Sequence, residues 1–148
     1  MDLSSIKDIV QRLIKRPSAS MAPVPCIAGL SQELRNISPH HFHERGMYNE
    51  ALVALLFAAK GFQLIAHRLQ TPWAEIDLIF SDESNGLTIV EVKTVRLDQY
   101  IPPISHSQKK RLARAHLHVQ SFYGRPVQSH LALVNDDQYI EVIEDFLC

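Results

Sequence analysis

A chain of 148 residues with 46% hydrophobic residues and a formal net charge of −1 is long enough for one ordinary hydrophobic core and too short for two. The near-neutral charge excludes a globally basic nucleic-acid binder, so any such surface must be local. Two cysteines, Cys26 and Cys148, give neither metal-ligand spacing nor a disulfide framework, and no run reaches the roughly 18 apolar residues of a membrane helix. Asp2 and Asp8 stand where a targeting peptide would be basic, so a soluble cytoplasmic protein without membrane contact is expected.

The first expected element is an amphipathic helix over residues 3–14, with Leu3, Ile6, Ile9, Val10, Leu13 and Ile14 at helical spacing. From Arg16 to about Pro39, Pro17, Pro23, Pro25 and Pro39 predict a linker or extended arm. Residues 1–40 therefore read as a helix plus a proline-rich arm, and residues 41–148 as the compact domain. His40, His41 and His43 lack partners at any zinc spacing and read as a hydrated cluster. Residues 47–59 predict a helix apolar on every side, stopped by Gly61.

Strands are expected over 62–69, 74–80 and 87–95, the last two joined by Ser81–Gly86, which is turn chemistry throughout. After an irregular stretch containing Pro102 and Pro103, a helix capped by Ser105 or Ser107 runs to about Tyr123, with Leu112, Ala115, Val119 and Phe122 inward. A strand over 130–134 and a shorter strand or helix start over 139–143 complete the chain. The order α-β-β-β-α-β defines an α/β open sheet covered by helices.

Alternation along the expected hairpin exposes an anomaly. Ile76, Leu78 and Phe80 share one side of their strand, and Glu75, Asp77 and Ile79 the other; Thr88, Val90, Val92 and Thr94 oppose Leu87, Ile89, Glu91, Lys93 and Val95. Matching apolar residues across the turn favours either a register centred on Ser84, which pairs Leu78 with Val90 and Ile79 with Ile89, or one two units away in the sum of paired residue numbers; the first sets Asp77 opposite Glu91 and Glu75 opposite Lys93. Facing carboxylates destabilise a sheet unless something offsets their repulsion, and Mg²⁺ or Mn²⁺ does so well. Lys93, about 7 Å along the strand from Glu91, supplies the positive charge that can orient an attacking water. Glu50 adds a carboxylate inside the apolar helix, where an unpaired charge is costly; it requires a metal or a partner such as Arg45 or Arg68. Gln108 falls on the inward side of the later helix near its N-terminus, an end suited to a phosphate or to simple capping.

Five blocks carry a resemblance: Gly46-Met-Tyr-Asn-Glu50-Ala51, Lys60-Gly61-Phe62, Ala74-Glu75-Ile76-Asp77-Leu78-Ile79, Val90-Glu91-Val92-Lys93-Thr94 and Gln108-Lys109-Lys110-Arg111-Leu112. Over residues 46 to about 123 the chain resembles the YraN-like family, similar in fold to archaeal Holliday junction resolvases and other PD-(D/E)XK endonucleases. The resemblance implies a restriction-endonuclease-like three-layer sandwich with a mixed central sheet flanked by helices. It implies Asp77 and Glu91 as metal ligands, Lys93 as the catalytic lysine, Glu50 in the metal shell directly or through water, and Glu75 as a companion. Ala74 replaces the usual glycine and Val95 the usual arginine, while Gln108 stands where the family often has lysine.

No acidic residue lies between Gln99 and Asn135, whereas Lys109, Lys110, Arg111 and Arg114 cluster on the expected helix. That asymmetry gives a neutral chain a local surface for nucleic-acid phosphates, DNA above all. The function expected is Mg²⁺- or Mn²⁺-dependent hydrolysis of phosphodiester bonds in DNA, with branched or repair intermediates as the substrate class. The alternative is a catalytically silent module of the same fold that binds nucleic acid or a protein. A third reading uses the N-terminal segment for docking, with a homodimer among the expected assemblies.

Overall fold

The computed structural model describes residues 3–15, 24–37, 42–96 and 104–147. Helix α1 (Leu3–Lys15) follows its amphipathic pattern and buries Ile6, Ile9, Val10 and Leu13. The expected arm is corrected: Val24–Arg35 is a second helix, α2, burying Ile27, Leu30 and Leu34. Pro25 is the second helical residue, in the first turn, where its missing N–H breaks no intrahelical bond. Arg12 ties the two helices together, donating to Glu33 Oε1 at 2.9 Å and pairing with Asp8 at 2.8 Å. His40 and His41, like Pro17, Pro23 and Pro39, lie outside the described residues.

Helix α3 (Phe42–Ala59) starts five residues before the expected position and is buried nearly all round, with Met47, Tyr48, Ala51, Val53, Ala54, Leu55, Phe57 and Ala58 inside. It stops at Gly61, whose φ of 98° belongs to the region that favours glycine, and Phe62 N–H closes back on Phe57 O.

Five strands form one sheet in the order β1-β2-β3-β4-β5: β1 (Gln63–Gln70), β2 (Glu75–Ser81), β3 (Leu87–Thr94), β4 (Val127–Val134) and β5 (Ile140–Ile143). All neighbours are antiparallel except β3 and β4, which run parallel and are joined through α4 (His106–Tyr123). This is a mixed central sheet between helical layers. The β2–β3 register is the expected one, with Leu78 opposite Val90, Ile79 opposite Ile89 and Phe80 opposite Thr88.

One sheet face, through Leu64, Leu78, Phe80, Val90, Ala132 and Val134, joins a core shared with α1, α2 and α3. Phe57 stacks on Phe80 at 4.9 Å and meets Phe62 edge-on. The opposite face packs Ile76, Ile79, Leu87 and Ile89 against Ala115 and Val119 of α4. Two expectations about facing are corrected. Phe122 is 75% exposed, and Tyr123, one position later and four after Val119, packs on the cluster instead. Ile76 lies with Ile79 rather than with Leu78, because the pleat breaks at Arg68 and Asp77: β1 pairs His67 with Leu78 and Leu69 with Ile76, and Arg68 between them has φ 53°. Among the described residues no helix is long and apolar enough to cross a membrane.

Candidate active site at the fork of the sheet

The ladder between β2 and β3 ends at Leu78 and Val90, although β1–β2 pairing continues to Glu75 and β3–β4 pairing to Thr94. The two central strands therefore part after Leu78 and Val90. Asp77 and Glu91 fill the fork. The Asp77 N–H donates to Glu91 Oε1 at 3.2 Å and the Val92 N–H donates to Asp77 Oδ2 at 2.9 Å. Each carboxylate thus satisfies a backbone donor of the other strand at the point where the ladder stops. The facing of Asp77 and Glu91 expected from the hairpin is present as this side-chain exchange.

Burial and mutual repulsion act on the pair together. Glu91, 3% exposed, is pushed up to about 9, by burial first and by the charge of Asp77 second. Asp77 rises to about 6, by burial first and then by the nearby charge of Glu50. Lys93, half-buried two residues along β3, favours the ionised form of both. A cation in the fork would act in the same direction and more strongly.

Glu50 reaches the site from α3, and its burial is matched. Arg68 grips it with Nε at 3.0 Å and Nη2 at 2.9 Å, and His67 Nε2 lies 2.8 Å from Oε1. Burial opposes its ionisation most, but the hydrogen bonds from His67 and Arg68 outweigh that, and the carboxyl sits below its ordinary value. Of the two arginines expected as partners, Arg68 is the one found; Arg45 faces Asp136 at 3.8 Å. His67 was not anticipated. Its signal was a polar His67-Arg68 step after the apolar run Leu64-Ile65-Ala66, the same cost argument that singled out Glu50.

The remaining expected residues are less closely engaged. Glu75 does not pair with Lys93; it is tied to Gln70 and lies 4.0 Å from Arg68, because at that point β2 is paired with β1 and no longer with β3. The Gln108 N–H donates to the capping Ser105 Oγ at 3.1 Å, and among the described residues its side chain forms no hydrogen bond. Lys109, Lys110, Arg111 and Arg114 are exposed on α4. Because β3 and β4 are parallel and α4 returns between them, the start of α4 lies at the sheet end where Glu91 and Lys93 sit. Arg125 instead staples the β2–β3 turn, binding Asn85 O, Gly86 O and Ser81 Oγ. Among the described residues no three acidic, histidine or cysteine side chains form a metal cluster, so the fork offers two carboxylates, with Glu50 turned to its own partners.

These features define an α/β protein with a mixed sheet, a forked centre and a buried carboxylate pair beside a lysine. The chain belongs to the uncharacterised protein family UPF0102, whose profile matches residues 49–143, in agreement with the YraN-like motifs. A UPF0102 protein of Caulobacter sp. (strain K31) is 37% identical over 75 residues, 50% of this chain and 53% of that protein. One from Parvibaculum lavamentivorans is 37% identical over 79 residues, 53% of this chain and 59% of that protein. The chain thus spans about half the length of these two curated relatives. A relative from Thermodesulfovibrio yellowstonii is 29% identical over 107 residues, 69% of this chain and 94% of that protein. Among solved structures, a repair endonuclease from Pyrococcus abyssi aligns with a TM-score of 0.42 and 15% identity, over 69% of this chain and 42% of that one.

Proposed function

We propose that this protein is a metal-dependent endonuclease that hydrolyses phosphodiester bonds in DNA, with branched or repair intermediates as its substrates. The observation that carries the reading is the buried Asp77–Glu91 pair in the fork, with Lys93 beside it. Two hard oxygen donors suit Mg²⁺ or Mn²⁺, since Mg²⁺ is held by one or two carboxylates and keeps several waters for substrate phosphate to replace. When bound, such an ion polarises the scissile phosphate and lowers the pKa of water.

The chain's own residues supply the rest. Asp77 and Glu91 present carboxylate oxygens from two strands fixed by their ladders. The Lys93 ammonium donates to the attacking water and holds it in line with the departing oxygen. The Arg68 and His67 contacts keep Glu50 ionised near Asp77, and this holds negative potential at the fork for a cation. Lys109 and Lys110 lie at the start of α4, which has no acid in its first turn. Cations there oppose the helix dipole, an arrangement that a bound phosphate turns to advantage.

The test is cleavage of branched, single-stranded and duplex DNA with Mg²⁺ or Mn²⁺, run beside Lys93→Ala, with Mn²⁺ calorimetry on wild type and Asp77→Ala. Expected are cleavage that Lys93→Ala lowers by about 10²-fold or more, and Mn²⁺ binding that Asp77→Ala abolishes. Wild-type protein that cleaves none of these substrates and binds no Mn²⁺ would sink the reading. The engagement of Glu50 by two partners, which leaves two carboxylates for a metal, favours as second reading a module that binds nucleic acid without cutting it; DNA binding without cleavage would select it.

A further inference from the structure

We infer that Trp73, backed by Arg114, is a stacking platform for an unpaired DNA base beside the fork, so that the protein prefers substrates with a single-stranded segment. The inference rests on the nucleic-acid reading above and names a substrate feature for that same site. Trp73 sits in the β1–β2 turn, immediately before the strand that carries Asp77. The turn is rigid: Thr71 Oγ1 donates to Ala74 O at 2.7 Å and accepts from the N–H groups of Trp73 and Ala74, while Thr71 N–H binds Ala74 O. Ala74 is anchored on the α4-side core. The backbone that carries the indole is therefore held by hydrogen bonds rather than left as a loose loop.

With the Arg114 guanidinium 5.3 Å from the ring centroid, Trp73 still keeps 45% of its surface accessible. A single exposed aromatic is ordinary, and a cation over it can be no more than a staple between helix and turn. The surroundings separate the two cases. Lys110 and Arg114 are one helical turn apart on α4 and so share a face, and α4 carries no acid. The acid nearest in sequence, Glu75, is already engaged by Gln70 and lies by Arg68. A half-exposed indole beside Arg114 and Lys110, the latter without an ion-pair partner among the described residues, is the chemistry that binds single-stranded nucleic acid, bases on the ring and phosphates on the cations. A paired base cannot leave its stack to use it. Trp73 lies four positions before Asp77, at most about 13 Å of extended chain, a span of no more than about four stacked bases at roughly 3.4 Å each.

Trp73 is the single tryptophan of the chain, so its emission reads the platform directly. Full-length protein in EDTA is titrated with an oligodeoxythymidine of about 15 nucleotides, near the upper site size of single-strand binders, and with a blunt duplex of equal length. Expected are quenching by the single strand and none by the duplex. By anisotropy of the labelled oligonucleotide, Trp73→Leu weakens single-strand binding by about 5- to 150-fold and leaves duplex binding unchanged, while Trp73→Phe keeps most of the affinity. If wild type binds single strands without quenching, or Trp73→Leu binds them as well as wild type, the platform is refuted and the nucleic-acid reading stands. Binding of duplex alone has the same consequence. If neither DNA binds at low salt, the nucleic-acid reading fails and the platform with it.

Discussion

At its turn end the β2–β3 hairpin is closed by continuous strand pairing and backbone: Phe80 lies opposite Thr88, Ser81 opposite Leu87, and Asp82 N–H binds Gly86 O. At its other end the same two strands separate, and each carboxylate satisfies a backbone donor of the other strand. One end maximises burial and hydrogen bonding; the other holds negative charge where water is scarce. Stability and chemistry thus divide along a single hairpin, and the fork is affordable because β1 and β4 continue to pin each strand from outside.

The largest expected effect is at the closed end. Phe80 is fully buried and stacked on Phe57, so Phe80→Ala should cost about 3–5 kcal/mol, read as a fall in urea midpoint at unchanged slope. A smaller loss is expected where Glu50 braces the fork. Glu50→Ala leaves His67 and Arg68 without their partner; because the Arg68 side chain is 29% exposed, the cost should be about 1–3 kcal/mol rather than that of a fully buried pair. Equal losses at the two positions would erase the proposed division of labour.

The turn end was legible in sequence and the fork only in part. Apolar matching across Ser81–Gly86 narrows the register to two, this one and one shifted by two in the sum, and the one observed brings Asp77 to Glu91. The parting of the strands coincides with the left-handed backbone at Arg68 and with continued pairing to the outer strands, neither of which a local period-two pattern contains, and the expected positions of Ile76 and Glu75 differ for that reason. Helix α2 stayed hidden because Pro17, Pro23 and Pro39 read as an arm, although Ile27, Leu30 and Leu34 carry helical spacing. Glu50 was legible through its cost, and the same reasoning applied to His67 and Arg68 would have completed the cluster.

The fork should also behave oppositely to the turn with pH. Asp77 and Glu91 are raised above the ordinary carboxylate value, to about 6 and about 9; from about pH 7, where the opposite effect of His116, lowered by burial, has faded, up to about pH 9 the folded protein holds more protons than the unfolded chain. Stability therefore falls as pH rises through that window. In EDTA the thermal midpoint should decline from about pH 7 to about pH 9; Glu91→Gln should flatten the decline and raise stability at the alkaline end, and Mn²⁺ should do the same for wild type. A midpoint that rises over this range would mean that the two carboxylates are not held together.

The smallest effect belongs to the turn itself. A Cβ on Gly86 would lie 2.8 Å from Asp82 Oδ2, and that carboxylate is committed: Asp82 Oδ1 accepts from Gly86 N–H and from Ser84 Oγ, each at 2.8 Å. Its hydrogen bond with Ser84 leads the influences that hold its carboxyl below the ordinary value. Gly86→Ala must displace this side chain or forfeit a bond, while the shorter list of unfolded conformations open to alanine offsets part of the loss. The net cost should be under about 1 kcal/mol, a drop of a few degrees in thermal midpoint. Because Arg125 also holds the turn through Asn85 O and Gly86 O, the β2–β3 register should survive and Mn²⁺ affinity at the fork should not change. A Gly86→Ala protein that lost Mn²⁺ binding would show that the turn sets the fork's geometry, and the two ends of the hairpin would have to be treated as one unit.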